Sequence, residues 1–213
     1  FTAVSHELKT PIAIIKGELE GMIYQVGEYK DRDAYLRHCM KTVNDMERIV
    51  KDILSAARMG GSDFKLERTD LDISRMLQKA CRKVMGRIED KEMELRQDIQ
   101  PDFHYEGDAR LMEKVFANVL DNAVAYSPRG AVVTVTLQDG VLSVENSGIH
   151  IEQEDLEQLF TPFYRVDKSR NRNSGGSGLG LYITKTILDH HGISYSMENT
   201  ENGVRFTALF RLL

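Results

Sequence analysis

Two long runs of apolar residues at helical spacing occupy the first 59 residues of the chain. Apolar residues recur every three or four positions from Val4 to Val26, and again from Leu36 to Leu54. Each run predicts an amphipathic helix with one apolar stripe, and the polar residues 27–33 predict a turn between them. Two helices alone cannot cover both stripes. We therefore expect an antiparallel helical hairpin that pairs with a second copy into a four-helix bundle, as a homodimer.

A short stretch, "GGSD" at residues 60–63, separates these helices from a different pattern. It predicts a flexible linker, which divides the chain into units 1–61 and 62–213. In the second unit, alternating runs predict strands: "FKLERTD", "MELRQDI", "VVTVTLQ", "VLSVEN", "ISYSMEN" and "VRFTALFRL". Helical runs occur in "ISRMLQKACRKVMGRI", "ARLMEKVFANVLDNAVAY" and "GLYITKTILDHH". The two kinds of element do not alternate strictly, so we expect an α+β sandwich and not a doubly wound sheet.

Residues at the ends of these runs predict where helices begin and chains turn. Asp72 or Ser74, and then Asp108, are candidate N-caps for the first two helices. Gly192 follows the third helix and suits its C-terminal cap. Hairpin turns are expected at two pairs of residues, Asp139-Gly140 and Asn202-Gly203.

Composition excludes several classes of protein. The 213 residues are 41% apolar and 29% charged, as in a globular protein. A net charge of −5 argues against binding a nucleic-acid backbone. Cys39 and Cys81 both lie in predicted helices, which favours reduced thiols over a disulfide or a zinc site. No run approaches the roughly 20 apolar residues of a membrane span. Because Phe1 falls within the first amphipathic run, we expect a fragment of a longer protein.

A glycine-rich stretch, "SGGSGLGL" from Ser174 to Leu181, leads into the third helix of the second unit. Closely spaced glycines let backbone N–H groups surround an anion, and a helix N-terminus favours phosphate. The stretch lacks both the preceding strand of a dinucleotide fold and the Lys-Ser/Thr of a P-loop. Four basic residues precede it: Arg165, Lys168, Arg170 and Arg172. A solvated surface loop and a lid over a triphosphate are both consistent with this pattern.

Two further clusters have an ordinary and a functional interpretation. Asn118 and Asn122 lie on one face of a predicted helix, where two amide oxygens could bind Mg²⁺ or simply face solvent. "FTAVSHELKTP" places His6, Glu7 and Thr10 within about one turn of the first helix. His6 there could be a solvent-exposed histidine or a nucleophile oriented by Glu7.

Taken together, these stretches resemble the bacterial sensor histidine kinases of two-component systems. The resemblance covers nearly all of the chain, in five motifs with the family's order and spacing: "FTAVSHELKTP", "NVLDNAVAYS", "VENSGIHI", "FTPFYR" and "GGSGLGL". It implies a dimeric helical hairpin followed by a GHKL-type α/β sandwich, the ATP-binding domain also found in gyrase and Hsp90. The first motif and "ENSG" are similar to vancomycin-resistance sensor kinases.

The resemblance implies a role for each matching residue. His6 would accept the phosphoryl group, and Glu7 would orient the His6 imidazole. Thr10 would orient water for dephosphorylating a partner. ATP and Mg²⁺ are the implied ligands, with Asn122 and Asn118 at the metal. The other implied nucleotide-binding residues are Tyr126, Asn146, Gly148, Arg165, Gly176, Gly178, Leu179 and Gly180.

The sequence departs from the family's pattern at three positions. Asn146 replaces the aspartate that accepts a hydrogen bond from the adenine amino group, although an amide oxygen still accepts one. His150 replaces a glycine, and we expect its side chain to lean outward. Ala125 replaces a lysine that is frequent beside Tyr126, which removes one phosphate contact.

The sequence therefore predicts an ATP-dependent histidine kinase core that phosphorylates His6 and passes the group to an aspartate of a cognate response regulator. It is expected to be the cytoplasmic part of a protein anchored in the membrane through a segment outside this sequence. Two alternatives stay open. The departures at Asn146, His150 and Ala125 suit a dimerisation module that binds no ATP, and the sandwich alone suits an ATP-driven conformational machine.

Overall fold

A helical hairpin forms the N-terminal part of the molecule. The computed structural model describes residues 2–61, 63–166 and 177–210. Helix α1 spans Thr2–Tyr24, a short 3₁₀ turn spans Gly27–Lys30, and α2 spans Arg32–Met59. The Asp31 carboxylate caps α2 by accepting from the Ala34 N–H at 3.1 Å. The predicted hairpin is confirmed.

The second part of the chain is a layer of helices on a mixed sheet. Its elements are β1 (Arg68–Asp72), α3 (Ile73–Asp90), β2 (Glu94–Ile99), β3 (His104–Asp108), α4 (Ala109–Tyr126), β4 (Val132–Gln138), β5 (Val141–Ser147), α5 (Gln153–Gln158), α6 (Gly180–His191), β6 (Ser194–Asn199) and β7 (Gly203–Leu209). The main sheet has the order β2-β4-β5-β7-β6, and β1 pairs with β3 separately. Only β2 and β4 are parallel among the described pairs. The predicted α+β sandwich is confirmed.

The core lies between one face of the main sheet and helices α3, α4 and α6. Every second residue of β4, β5 and β7 is buried, as a sheet covered on one face requires. The largest fully buried side chains are Ile73, Leu77, Met112, Val115, Phe116, Leu120, Leu137, Leu142, Leu179, Ile183, Ile187 and Leu188. Both cysteines are free, and burial raises the pKa of the Cys81 thiol to about 11.

Local signals place most boundaries of these elements. Asp72 and Asp108 cap α3 and α4 by accepting from the third N–H beyond them, at 2.8 and 3.1 Å. Gly192 ends α6 with φ +71°, a left-handed conformation that glycine adopts without strain. The predicted turn at Asp139-Gly140 joins β4 to β5, with φ values of 49° and 77°.

The structure also corrects the sequence prediction in detail. The strand expected from residue 64 begins at Arg68, because its partner β3 extends only over His104–Asp108. Strand β3 and helix α5 were not predicted. The last hairpin turns one residue earlier than expected, because Gly203 already belongs to β7 and its N–H donates to Thr200 Oγ1 at 3.0 Å.

The end of α2 packs on the sandwich. Met59 is 3% exposed within the sandwich core, with Ile53 and Ala56 against the same cluster. The imidazole of His190 donates through Nε2 to the Met59 carbonyl at 3.0 Å. Lys114 on α4 forms an ion pair with Asp52 on α2 at 2.8 Å. The hairpin and the sandwich therefore contact each other directly beside the linker.

Candidate functional site

Helix α4 carries the two asparagines that the sequence analysis selected. Both are half-buried, and their separation by one turn puts them on one face of the helix. The Asn118 amide nitrogen donates to the Gly180 carbonyl at 3.0 Å, at the start of α6. The Asn118 amide oxygen is therefore the atom of this side chain that is left for a cation. Asn122 lies one turn closer to the C-terminal end of the helix.

Asn146 lies near the end of β5, between β4 and β7. Its backbone is in register with Val133 on one side and Val204 on the other, and its side chain is 7% exposed. The amide nitrogen donates to Ser127 Oγ at 3.1 Å. The Ser127 hydroxyl in turn donates to the Ala123 carbonyl, at 2.6 Å. A buried chain of hydrogen bonds thus links the strand to the end of α4.

Lys91 holds the end of α4 from the other side. Its ammonium donates to the carbonyls of Val124, Ala125 and Ser127, at 2.7, 2.9 and 3.0 Å. These are carbonyls at a helix C-terminus, where the helix itself supplies no donor and a cation is favoured. Burial lowers the pKa of Lys91, and the charge of Arg87 lowers it further. Lys91 therefore fixes the segment in which Ser127 lies.

The turn after β5 brings a glycine against the end of α4. Gly148 has φ +80°, and a Cβ there would lie 2.9 Å from Pro128 Cγ. A side chain at this position would meet both backbone strain and a steric clash. His150, two residues later, is exposed, and Asn199 contacts its ring at 3.4 Å. That the His150 side chain leaves the base site clear stays a prediction.

The aromatic motif packs against Gly178, the third glycine of the glycine-rich stretch. The Phe163 N–H donates to the Gly178 carbonyl at 3.0 Å, and both residues have positive φ. A Cβ on Gly178 would lie 2.8 Å from the Phe163 carbonyl carbon. Phe160 packs on Tyr195 with ring centroids 5.0 Å apart, and the Tyr164 hydroxyl donates to Asp155. These contacts attach the aromatic motif to Gly178, to β6 and to α5.

The other predicted nucleotide-binding residues surround the start of α6 and the end of α4. Leu179 is 2% exposed, so only its backbone can face a ligand. Gly180 is the first residue of α6. Arg165 is half-buried, and Tyr126 at the end of α4 is 45% exposed. Gly176 lies outside the described residues, and so do Lys168, Arg170 and Arg172.

The candidate phosphoacceptor lies on α1. His6 is exposed, Glu7 beside it is half-buried, and the Thr10 hydroxyl donates to the His6 carbonyl at 3.2 Å. Helix α1 continues through Pro11, without a break in the assigned helix. An exposed imidazole on a helix is accessible to a group delivered from outside that helix.

The described residues fit a nucleotide with a divalent cation. Asn146 offers a buried amide for a base, and Gly148 and Gly178 have conformations in which a side chain would clash. The amide oxygens of Asn118 and Asn122 are hard ligands that suit Mg²⁺ together with phosphate oxygens. No cluster of three acidic, histidine or cysteine side chains suited to a metal occurs in the described residues. Any cation here would therefore depend on amide and phosphate oxygens.

Comparison with known proteins decides the family. The model of the His Kinase A (phospho-acceptor) domain matches residues 1–62. The model of the histidine kinase-, DNA gyrase B- and HSP90-like ATPases matches residues 107–213. The chain belongs to the bacterial sensor histidine kinases. The sequence-based resemblance to this family is confirmed, and the ATPase family implies that this histidine kinase binds ATP.

Individual relatives agree with this assignment. The chain is 38% identical over 210 residues to the sensor protein VanSB of Enterococcus faecalis, covering 97% of the chain and 47% of VanSB. The chain thus spans about half the length of the curated relatives it matches. The solved histidine kinase AdeS of Acinetobacter baumannii has the same fold, with a TM-score of 0.78 at 23% identity, covering 97% of this chain and 98% of AdeS.

A second solved structure includes a partner. The histidine kinase ThkA, in complex with the response regulator protein TrrA, matches with a TM-score of 0.76 and 26% identity, covering 96% of this chain and 58% of ThkA.

As for the membrane, none of the helices in the described ranges combines the length and apolar content that a bilayer span requires.

Proposed function

We propose that this histidine kinase phosphorylates its own His6 from ATP and passes the phosphoryl group to an aspartate of a response regulator. The observation that carries the proposal is the combination, in one chain, of an exposed histidine on a phospho-acceptor helix with an ATPase-type site on the sandwich. Residues 1–61 would serve dimerisation and phosphotransfer, and residues 62–213 would serve catalysis.

The transfer needs a nucleophile and a positioned phosphate. One ring nitrogen of His6 forms a bond to the terminal phosphorus of ATP, while the bond from that phosphorus to the ADP oxygen breaks. Glu7, the next residue on α1, accepts a hydrogen bond from the other ring nitrogen and balances the positive charge that develops on the ring. Most of the remaining catalysis is positioning and charge neutralisation.

The residues around α4 and α6 supply that positioning. Asn146 accepts a hydrogen bond from the adenine amino group, and Gly148 leaves room for the base. Asn122, with Asn118, holds Mg²⁺, which would neutralise phosphate charge. Gly178, Leu179 and Gly180 approach the phosphates through the backbone. Arg165 and Tyr126 contact the nucleotide through their side chains.

The hairpin supports the proposal of a homodimer. Its two helices form an apolar groove lined by Ile12, Ile15, Leu19, Val43, Met46 and Val50. Ile12 and Leu19 are 52% and 42% exposed in a single copy. A second hairpin laid on this groove would cover both apolar stripes and complete a four-helix bundle.

The same reasoning extends to partners. The ThkA complex with a response regulator supports a response regulator as the phosphoryl acceptor for this chain. Thr10, one turn after His6, suits a second reaction in which it orients water to dephosphorylate that partner. Because the chain corresponds to about half of VanSB, we further propose that it is the cytoplasmic part of a membrane-anchored sensor.

Incubation with γ-labelled ATP and Mg²⁺ tests the kinase activity. We expect an acid-labile, alkali-stable label on the wild-type chain and none on His6→Gln. The matched control is His104→Gln, another exposed histidine but outside the five motifs, which must keep the label. Loss of label in a folded Asn122→Ala variant would support the metal role, and full labelling would remove it.

Two outcomes would favour the alternatives. If MgATP leaves the melting temperature unchanged, the chain does not bind nucleotide and is a dimerisation module, because a ligand that binds only the native state must raise its stability. Steady ATP hydrolysis without any phosphorylated histidine would instead indicate an ATP-driven conformational machine.

A further inference from the structure

The two ends of an asparagine side chain have opposite hydrogen-bonding character. A carboxylate presents an acceptor at either oxygen, whereas an amide presents an acceptor at Oδ1 and a donor at Nδ2. If Asn146 contacts the base, as the proposed function requires, the end that faces the base decides which base fits. An amide free to turn over would accept from an amino group or donate to a carbonyl equally well.

The Ser127 hydroxyl removes that freedom. Its only proton is donated to the Ala123 carbonyl at 2.6 Å, because a carbonyl oxygen can only accept. The Ser127 oxygen therefore has only lone pairs left for Asn146. The end of the Asn146 side chain that lies 3.1 Å away must be the donor, Nδ2. Turning the amide over would place two acceptor oxygens against each other.

Burial makes the reversed amide costly. Ser127 is 4% exposed and Asn146 is 7% exposed, so water cannot replace the lost hydrogen bond. Ser127 cannot easily turn away either. Its carbonyl is held by the Lys91 ammonium at 3.0 Å. Asn146 lies in a strand that is paired on both sides, with Val133 and with Val204.

We propose that Ser127 is a positioning residue that sets the base specificity of the nucleotide site. By holding Nδ2 of Asn146, it leaves Oδ1 at the opposite end, so the site accepts purines with a 6-amino donor and rejects those with a 6-carbonyl. An asparagine at this position thereby acquires the selectivity of a carboxylate. This inference rests on the proposed contact between Asn146 and the base.

The test compares binding of ATP with binding of inosine triphosphate, which carries a carbonyl in place of the 6-amino group. The measurement is the ratio of the two dissociation constants for the full 213-residue chain. In Ser127→Ala the amide can turn over, so inosine triphosphate gains affinity and the preference for ATP falls on the order of tenfold. ATP affinity falls as well, because a freely turning amide presents Oδ1 to the amino group for only part of the time.

A matched control removes a similar hydroxyl from another helix of the sandwich. The Thr186 hydroxyl donates to the Tyr182 carbonyl at 2.9 Å, the same four-residue pattern as Ser127 with Ala123. We expect Thr186→Ala to leave the ratio unchanged. Ser127→Cys provides a second test variant with little change in volume, and its weakly accepting sulfur must also lower the ratio.

Rescue by a carboxylate distinguishes loss of the Asn146 side-chain orientation from general damage to the nucleotide site. In the double variant Ser127→Ala/Asn146→Asp, both ends of the side chain accept, so the preference for ATP must return to at least the wild-type ratio. A purely structural role for Ser127 would leave the double variant as unselective as Ser127→Ala. That result would overturn the proposal.

Other outcomes distinguish this inference from the proposed function. If ATP binds and the ratio is the same in wild type, Ser127→Ala and Ser127→Cys, the role of Ser127 is refuted while nucleotide binding stands. If folded wild-type chain binds neither nucleotide, the proposed function itself is refuted, and this inference is refuted with it.

Discussion

The hairpin and the sandwich differ in how completely each buries its own apolar residues. The sandwich encloses a continuous core that extends from Leu71 to Phe210, whereas the described part of the hairpin buries Met22, Cys39, Ile49 and Met59, the last of them against the sandwich. Most of the exposed large apolar side chains among the described residues lie on the hairpin: Ile12, Ile14, Leu19, Ile23, Tyr24, Val26, Leu36, Met40, Val43, Val50 and Leu54.

This difference indicates that the sandwich is a complete folding unit and that the hairpin is not. Apolar burial is the main favourable contribution to folding, so a pair of helices with an open stripe depends on something that covers it. The interior of the hairpin is also partly polar. Glu18 is 7% exposed and accepts hydrogen bonds from His38 and from the Cys39 thiol. We propose that a second copy of the hairpin covers the open apolar stripe.

The largest expected effect is in the sandwich core. Leu137 on β4 is 0% exposed, so Leu137→Ala loses buried area and leaves a cavity. We expect the free energy of unfolding to fall by about 3–5 kcal/mol. Hydrogen exchange of β5 amides, which follows opening of the sheet, measures the change.

The matched substitution in the hairpin is Val43→Ala. Val43 is 46% exposed in a single copy. We expect its effect on β5 exchange to be below about 0.5 kcal/mol, typical of a surface substitution. A comparable loss in both variants would contradict the view that the sandwich folds independently of the hairpin.

The next effect concerns the proposed dimer interface on the hairpin. Val43 lines the apolar groove, so Val43→Glu would bury a charge in the proposed dimer interface. We expect the dimer dissociation constant to rise roughly a hundredfold, about 2.7 kcal/mol. Sedimentation over a range of concentrations measures it, and the sandwich must stay folded. The control is Lys41→Glu on the exposed side of α2. An unchanged dissociation constant in Val43→Glu would place the interface elsewhere.

The sequence predicted the parts of the fold that depend on local signals. The stripes of α1 and α2, the Asp72 and Asp108 caps and the Asp139-Gly140 turn all lie within a few residues of what they determine. Strand β3 was missed because "HYEGD" is short, polar and stabilised by pairing with β1, more than 30 residues away. Helix α5, "QEDLEQ", was missed because five polar or acidic residues and one leucine show no apolar stripe.

The candidate site, like the fold, was predicted where local sequence signals define it and missed where long-range contacts do. The motif residues were selected from the sequence, and the structure gives their positions except where they lie outside the described residues. The residues that hold the motif residues in place were not found from the sequence, because their hydrogen bonds join distant positions of the chain. Lys91 contacts Ser127 across 36 positions, and Ser127 contacts Asn146 across 19. Nothing in the local sequence of a lysine after a helix or a serine before a proline indicates such a contact.

The third effect depends on pH and belongs to the sandwich alone. His191 is 5% exposed, its Nδ1 donates to the Ile187 carbonyl at 2.7 Å, and its Nε2 accepts from the Asp108 N–H at 3.1 Å. Burial lowers the pKa of His191, although the hydrogen bond to Ile187 opposes this. The neutral ring is thus the form that the folded state requires.

The sign of the effect follows from this. Below about pH 6.5 the unfolded chain takes up a proton that folded His191 resists, so stability falls as pH falls, by at most about 1.4 kcal/mol per pH unit. Above that range His191 contributes no pH dependence. We expect urea denaturation of His191→Gln between pH 7.5 and 5.5 to show a shallower loss than wild type. Thr186→Ala, on the same helix, removes no titratable group and is the control that keeps the wild-type slope; equal slopes in all three would refute the role of His191.

The smallest effect tests how tightly the two regions are joined. The Asp52 and Lys114 side chains are 16% and 29% exposed, and their ion pair connects α2 to α4 at 2.8 Å. Asp52→Asn keeps the shape and removes the charge, so we expect the contact to weaken by up to about 1 kcal/mol, less at high salt. Hydrogen exchange in the last turn of α2 should then be up to about fivefold faster.

The control for this pair is its neighbour on the same helix. Glu113 pairs with Lys79 at 2.8 Å, but both partners belong to the sandwich and are 45% and 55% exposed. Glu113→Gln removes one charge of an equally short pair without touching α2, so exchange in α2 must stay at the wild-type rate. If Asp52→Asn also leaves that rate unchanged, Met59 and His190 hold the end of α2 without help from the ion pair. The hairpin would then be joined to the sandwich mainly by apolar packing beside the linker, and salt would have little influence on how the two regions separate.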